Sequence, residues 1–528
     1  MMLSVFLATS NVFIVNVATP AVQSGLQTGF SGIQFVISGY SLAYAVGLII
    51  AGRLGDRFGR KRILFYGVAV FTLASLACGL APDVNVLIAS RIIQGIGAAM
   101  IMPQVLSLIQ VNYPPDKRGA VFGLYGATQG IAATTGQLIG GLLLWWNPGA
   151  LDWRSVFFFS VPVGLLILSM IPFIPESKGE SNAKLDGIGA LLAAGGLLML
   201  VFPLVQGQKS GWPAWLIVCL VLSLPVLAFF AWFENRISRA GGSPFVNVRL
   251  FRQRAFSIGM LIALLLFCTQ SAYFLVIAYY LQSGLGYTAL TAGLVILPMG
   301  TGYFLASLLS ARAARRFGAR VMSFGSVLTV LGYLGVASAA SPDGIAVFGY
   351  GALFLLGAGQ GFIAAPLTNT VLAQIRGSDV GTGSGILATG MQVSYAIGAA
   401  LIGVVLLNSL NHYAEPASSR AAAQLGQTLA AASVSAEQSE EWQSRFRICY
   451  ADYVRGSDPR AVPASCAIDA GSNDAAGAWA IGLRQASAIN YAHSFRLSLF
   501  LLAAFTALLL PLTLMLVRRK SQSTEAGT

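Results

Sequence analysis

Runs of about 20 mostly apolar residues, the length a helix needs to cross the hydrocarbon core of a bilayer, recur along this chain. Fourteen can be placed between Leu3 and Val517, and the pattern predicts an all-α, polytopic membrane protein. The first run, from Leu3 to Val22, has no positive segment before it and is too long for the apolar part of a signal peptide. It is expected to stay in the mature protein. One stretch breaks the pattern: residues 410–493, between runs 13 and 14, are polar and Ala/Ser-rich. Within them, 436-AEQSEEWQSRFRICYADYVRG-456 has the composition of an amphipathic helix.

The chain also repeats. After run 2 it reads 52-GRLGDRFGRKR-62, and after run 10 it reads 311-ARAARRFGAR-320. Pro103 and Pro366 match at a similar offset, near 260 residues, as do Gly119 and Gly123 with Gly381 and Gly385. This spacing predicts two six-helix halves, 1–174 and 255–517, with a helix pair at 185–233 inserted between them. A loop at 234–254, the extramembrane segment 410–493 and a tail at 518–528 complete the organisation. Repeated halves place a cargo site where they meet, near the bilayer midplane.

Composition agrees: 56% of the 528 residues are hydrophobic and only 10% are charged, too little polar surface for a water-soluble globule. The net charge of +13 would suggest nucleic acid in a soluble protein. Here the basic residues are sided. Arg53, Arg57, Arg60, Lys61, Arg62, Lys117, Arg118, Arg312, Arg315, Arg316 and Arg320 fall on one face, whereas the opposite short loops carry only Arg154 and Lys209. The asymmetry places both termini in the cytoplasm and makes the basic excess a matter of topology, with no nucleic-acid partner. Cys78, Cys219 and Cys268 sit in apolar runs, which leaves Cys449 and Cys466 as a disulfide candidate on the far side of the membrane.

Three motifs carry more than topology. In 52-GRLGDRFGRKR-62, Gly52 and Gly59 permit a tight turn or close helix approach, and Asp56 can accept hydrogen bonds from neighbouring helix ends. Gly52, Leu54, Asp56, Arg57, Gly59, Arg60 and Lys61 match the Gly-x-Leu-x-Asp-Arg-x-Gly-Arg-Lys/Arg loop of the major facilitator superfamily, which the sequence resembles. A second stretch, 91-RIIQGIGAAMIMPQ-104, looks like that superfamily's helix 4 motif; Arg91 and Gln94 are its polar members, and Gly95 and Gly97 allow close helix packing. A third, 126-GATQGIAATTGQLIGG-141, resembles its antiporter motif, a packing stripe of Gly136, Gly140 and Gly141, with Gln137 where the family has proline. The opening 10-SNVFIVNVATP-20 is similar to the start of the fourteen-span drug:proton antiporters, with Asn11 in their aspartate position. The resemblance implies multidrug efflux and antibiotic resistance, with Gly52, Asp56, Arg57, Gly59 and Arg60 as a gating loop.

No carboxylate lies deep in a span; Asp186 and Glu234 stand at span ends. An intramembrane arginine, Arg91, therefore has no acidic partner at depth, and a cationic cargo would find nothing to compensate it. The uncharged polar residues expected along the substrate or proton pathway are Asn11, Asn16, Gln94, Gln129, Gln137, Gln270, Gln360 and Gln392, with Arg91 among them. The expected function is secondary active export of neutral or anionic amphipathic small molecules across the cytoplasmic (inner) membrane, with protons as coupling ion. An importer or uniporter is the alternative, and a non-transporting sensor a more distant one. No nucleotide-binding loop, catalytic set or metal-ligand cluster is seen, so neither an enzyme nor a cofactor is expected. An adaptor protein for export across a cell envelope is a further candidate partner.

Overall fold

The computed structural model describes residues 1–28, 30–178, 186–207, 210–240, 244–373, 375, 380–431, 435–455, 463–466 and 473–516. The side chain of Asn16 and the tail 518–528 lie outside the described residues. The chain is almost wholly helical: α1 Met2–Gly25, α2 Phe30–Phe58, α3 Arg60–Leu80, α4 Val84–Asn112, α5 Pro115–Trp146 and α6 Asp152–Phe173. The inserted pair is α7 Gly187–Gln206 and α8 Ala214–Arg239. There follow α9 Arg254–Gly284, α10 Ala289–Phe317, α11 Arg320–Ala339, α12 Val347–Leu372, α13 Val380–Ala431, α14 Ala436–Arg455 and α15 Gly477–Leu516. A short antiparallel hairpin, Ala340–Ser341 with Gly344–Ile345, joins α11 to α12.

Among the described residues, twelve helices are long and apolar enough to cross a membrane, or thirteen with α1 as one span. α5 has 32 residues, and its glycine and threonine content keeps it below that apolarity; it packs between α1 and α10. Counting it is compatible with the fourteen spans expected.

The halves repeat in packing as well as in sequence. α1 lies on α5 as α9 lies on α13, α2 on α4 as α10 on α12, and α3 on α4 as α11 on α12. Between the halves, α2 packs on α13 and α5 on α10. Of the inserted pair, α7 docks on α2 and α13 while α8 packs on α7 and turns Val218, Val221, Leu222 and Phe229 outward, as a lipid-facing helix does.

Two boundaries differ from the expectation. α8 runs to Arg239, past the 233/234 limit, so the acid expected at a span end, Glu234, sits inside a helix and is fully buried. Much of 410–493 is continuous with the spans: α13 alone has 52 residues, about 78 Å at 1.5 Å per residue against a hydrocarbon core of about 30 Å. The projecting ends of α13 and α15 hold α14 around a separate core that includes Ala417, Leu425, Phe446, Tyr450 and Trp479. A disulfide joins Cys449 to Cys466 there. Alanine explains the difference, because an Ala-rich segment reads as weakly apolar yet has the highest helix propensity.

Candidate functional site

A cavity of about 520 Å³ lies between the halves, walled by α1, α2, α4, α5, α7, α9, α10 and α13. Among the described residues, no charged side chain lines it. Of the residues expected on the pathway, Gln129, Gln137, Gln270 and Gln392 face it, together with Phe13, Tyr44, Tyr125, Phe274, Tyr303 and Tyr395. The Tyr395 hydroxyl donates to Gln270 Oε1 at 3.1 Å, and Gln270 Nε2 donates to Gln360 Oε1 at 3.3 Å. Gln360 in turn donates to the Tyr333 hydroxyl at 3.4 Å. Gln360 is buried behind the wall and supports Gln270 from there. Across the halves, Tyr44 on α2 and Gln392 on α13 line the same cavity. Gln129 Nε2 donates to the Tyr125 hydroxyl at 3.2 Å.

Arg91 is elsewhere. It is 2% exposed and donates through Nη1 to Asn11 Oδ1 at 2.7 Å and Gln94 Oε1 at 2.5 Å, and through Nε to Val36 O at 3.2 Å. Its guanidinium lies 4.2 Å from the centroid of the Tyr40 ring, and Gln94 Nε2 donates onward to Ser75. Neutral groups thus satisfy the charge and tie α1, α2, α3 and α4 together. Asn11, Arg91 and Gln94 do not border the cavity, contrary to the pathway expectation. The physical reason is that a helix apolar on every side gives no period from which to tell which polar side chain faces water and which faces a neighbouring helix.

Beyond the cavity, Asp56 joins the two halves. Its Oδ1 accepts from Gly381 N at 2.9 Å and its Oδ2 from Thr382 N at 3.0 Å, so a carboxylate of α2 caps the first turn of α13, where the helix dipole favours negative charge. Arg60 holds the same carboxylate at 2.8 Å and donates to Ser177. Gly59, at φ +105°, makes the α2–α3 turn in a conformation that side chains disfavour. A β-carbon on Gly52 would strike Gly381 O, so the two backbones can meet only because both residues are glycine. Arg57 instead lies against Phe58, 5.3 Å from its ring centroid. The packing glycines behave similarly: β-carbons at Gly95, Gly97, Gly136 and Gly140 would press on Tyr40 O, Phe71 N, Ser10 O and Ile14 O, while Gly141 has ordinary room beside Leu290.

Sequence reasoning missed Tyr44 and Tyr303, although a signal was present. They stand 259 residues apart, the offset that relates Phe58 to Phe317, and so they are repeat-related residues meeting in one cavity. It also missed Val201, Leu204 and Val205, by which the inserted helix α7 joins the wall.

Two packed helical repeats around a cavity lined by rings and amides, joined to each other by a helix cap, define a multi-pass membrane transporter of small molecules. The sequence pattern of the Major Facilitator Superfamily matches residues 1–399, and the chain belongs to that superfamily. It is 33% identical over 466 residues to a probable actinorhodin transporter of Streptomyces coelicolor, covering 86% of this chain and 79% of that one. It is 32% identical to the multidrug resistance protein Stp of Mycobacterium tuberculosis, covering 79% and 77%, and 31% identical to a tetracenomycin C resistance and export protein of Streptomyces glaucescens, covering 74% and 72%. Among solved structures, the human organic anion transporter MFSD10 superposes with a TM-score of 0.55 at 14% identity, over 95% of this chain and 97% of that one. That likeness is one of fold.

Proposed function

We propose that this protein exports neutral or anionic amphipathic, ring-containing small molecules from the cytoplasm by proton antiport. The observation that carries the reading is the cavity wall: tyrosines and phenylalanines offer ring faces, glutamines offer hydrogen bonds, and among the described residues no lining side chain is charged. A cation would leave water for this space without a counter-charge. The relatives named above for antibiotic transport and resistance support export. In this reading the Asp56 end, with Arg57, Lys61, Arg62, Arg315 and Arg316 around it, faces the cytoplasm by the positive-inside rule. Both termini are then cytoplasmic, and the disulfide-bearing end lies outside the inner membrane, where an envelope adaptor would dock.

The test is uptake into everted membrane vesicles of matched cationic, neutral and anionic aromatic compounds, with and without an uncoupler. Concentrative uptake of the neutral and anionic compounds, abolished by the uncoupler, is expected. Preference for permanent cations would refute the cargo assignment, and uptake indifferent to the uncoupler would replace antiport by uniport.

A further inference from the structure

Outside the cavity, two carboxyl groups face each other where the inserted helices meet. Asp186 caps α7, its Oδ1 accepting from Gly189 N at 2.9 Å. Glu234, in the last turns of α8, accepts through Oε2 from Val246 N at 3.0 Å. Among the described residues, the remaining oxygens, Asp186 Oδ2 and Glu234 Oε1, are buried and have no hydrogen-bond partner. A β-carbon built on Gly189 would collide with both, so they border the same small space. Glu234 is 0% exposed, whereas Asp186 is only half-buried.

Two ionised carboxylates so placed would repel in a medium that screens them poorly, and each would carry an unsatisfied acceptor. One proton between them removes both costs: the protonated oxygen donates to the other, and the pair carries a single negative charge. Among the described residues, no ion pair joins either group to a cation. The cation whose field reaches Glu234 is Arg53, 8% exposed on α2. Among the described residues, the other charged groups on the packed elements are directed or exposed elsewhere. Arg236 lies on Trp232, Arg249 donates to Ser238 O, Arg57 lies on Phe58, and Arg239 and Arg252 are exposed.

We propose that Asp186 and Glu234 form a proton-binding site that holds one exchangeable proton and supplies the coupling proton of the transport cycle. The proposal rests on the antiport reading above. It gives the inserted pair a role beyond packing, since α7 docks on α2 and α13, the two helices that Asp56 clamps. Losing the proton leaves a second negative charge near Arg53, three residues and so about one helical turn from Asp56 on α2. Titration at the pair therefore acts on the helix that carries Asp56. The partly open Asp186 is the route by which the proton exchanges with water.

Infrared titration of the purified full-length protein in lipid nanodiscs reads the site without transport. Wild type is expected to show one protonated-carboxyl band that disappears as pH rises. Glu234→Gln should lose it, and Asp186→Asn, which keeps the helix cap, should move its loss to lower pH, because the like charge that held the proton is gone. In everted vesicles, Glu234→Gln should lose uphill accumulation yet keep cargo counterflow, and Asp186→Asn should shift the pH profile of uptake in the same direction as the band. A band unmoved in both variants overturns the site, even where one of them inserts poorly. Uptake by the wild type that ignores an uncoupler overturns antiport itself, and the coupling role with it. Uncoupler-sensitive wild-type uptake that neither variant alters overturns only the assignment of the coupling proton to this pair.

Discussion

The polar residues inside this protein divide by what their hydrogen bonds reach, and each group predicts its own phenotype. Gln392 lines the cavity together with Tyr44 of the opposite half. Gln392→Leu is expected to weaken apparent affinity for cargo bearing hydroxyl or carbonyl groups by about tenfold, the effect of one lost hydrogen bond, while sparing purely apolar cargo; competition against one labelled substrate in vesicles reads the difference. Arg91, by contrast, holds Asn11 and Gln94 away from the cavity. Arg91→Ala leaves two buried acceptors unpaired at a cost of about 1–3 kcal/mol each, so detergent-solubilised protein should melt earlier, with selectivity unchanged in what survives. Normal stability with altered selectivity would instead return Arg91 to the transport pathway.

At the scale of elements, the two halves meet in a helix cap. Asp56→Asn keeps the shape of the side chain but removes the charge that the first turn of α13 and Arg60 share, about 1 kcal/mol or more of interaction. This contact should open more often. A Ser384→Cys reporter, placed at a buried position near the start of α13, should then react with a water-soluble thiol reagent about tenfold faster in the Asp56→Asn background, since 1.4 kcal/mol is a factor of ten. Unchanged labelling together with wild-type transport at equal membrane abundance would rule the cap out as a gate. This loop was readable in the sequence because its residue types are tied to backbone geometry: a glycine at positive φ, a glycine where backbones meet, an acid at a helix end. Gln129 and Gln392 could be read as polar groups in apolar helices, but so could Gln94 and Gln360, which are buried off the cavity wall. Only packing separates them. The carboxyl pair was half visible: Asp186 and Glu234 stood at the expected span ends, and their meeting across Gly189 depends on how α7 and α8 dock.

In the whole molecule, the longest helices connect parts that the membrane keeps apart. The Cys449–Cys466 bond closes a segment of 17 residues, for which loop-closure entropy gives about 3 kcal/mol. Its loss should therefore loosen the cap alone. Cys449→Ser with Cys466→Ser is expected to make α14 sensitive to limited proteolysis while the spans stay protected and inserted; equal protease resistance in the double variant would show the bond to be dispensable. Underlying this is α13, a helix of 52 residues whose first turn is gripped by Asp56 and whose far part, as far as Leu425, packs in the cap core. Such a helix works as a pointer. A tilt of about 10° at Asp56 sweeps a tip about 78 Å away by roughly 13 Å, far more than the side-chain movements that begin it. The state of a latch at one end of α13 is thereby displayed at the other, where a fluorophore on α14 could report it at a distance from the spans.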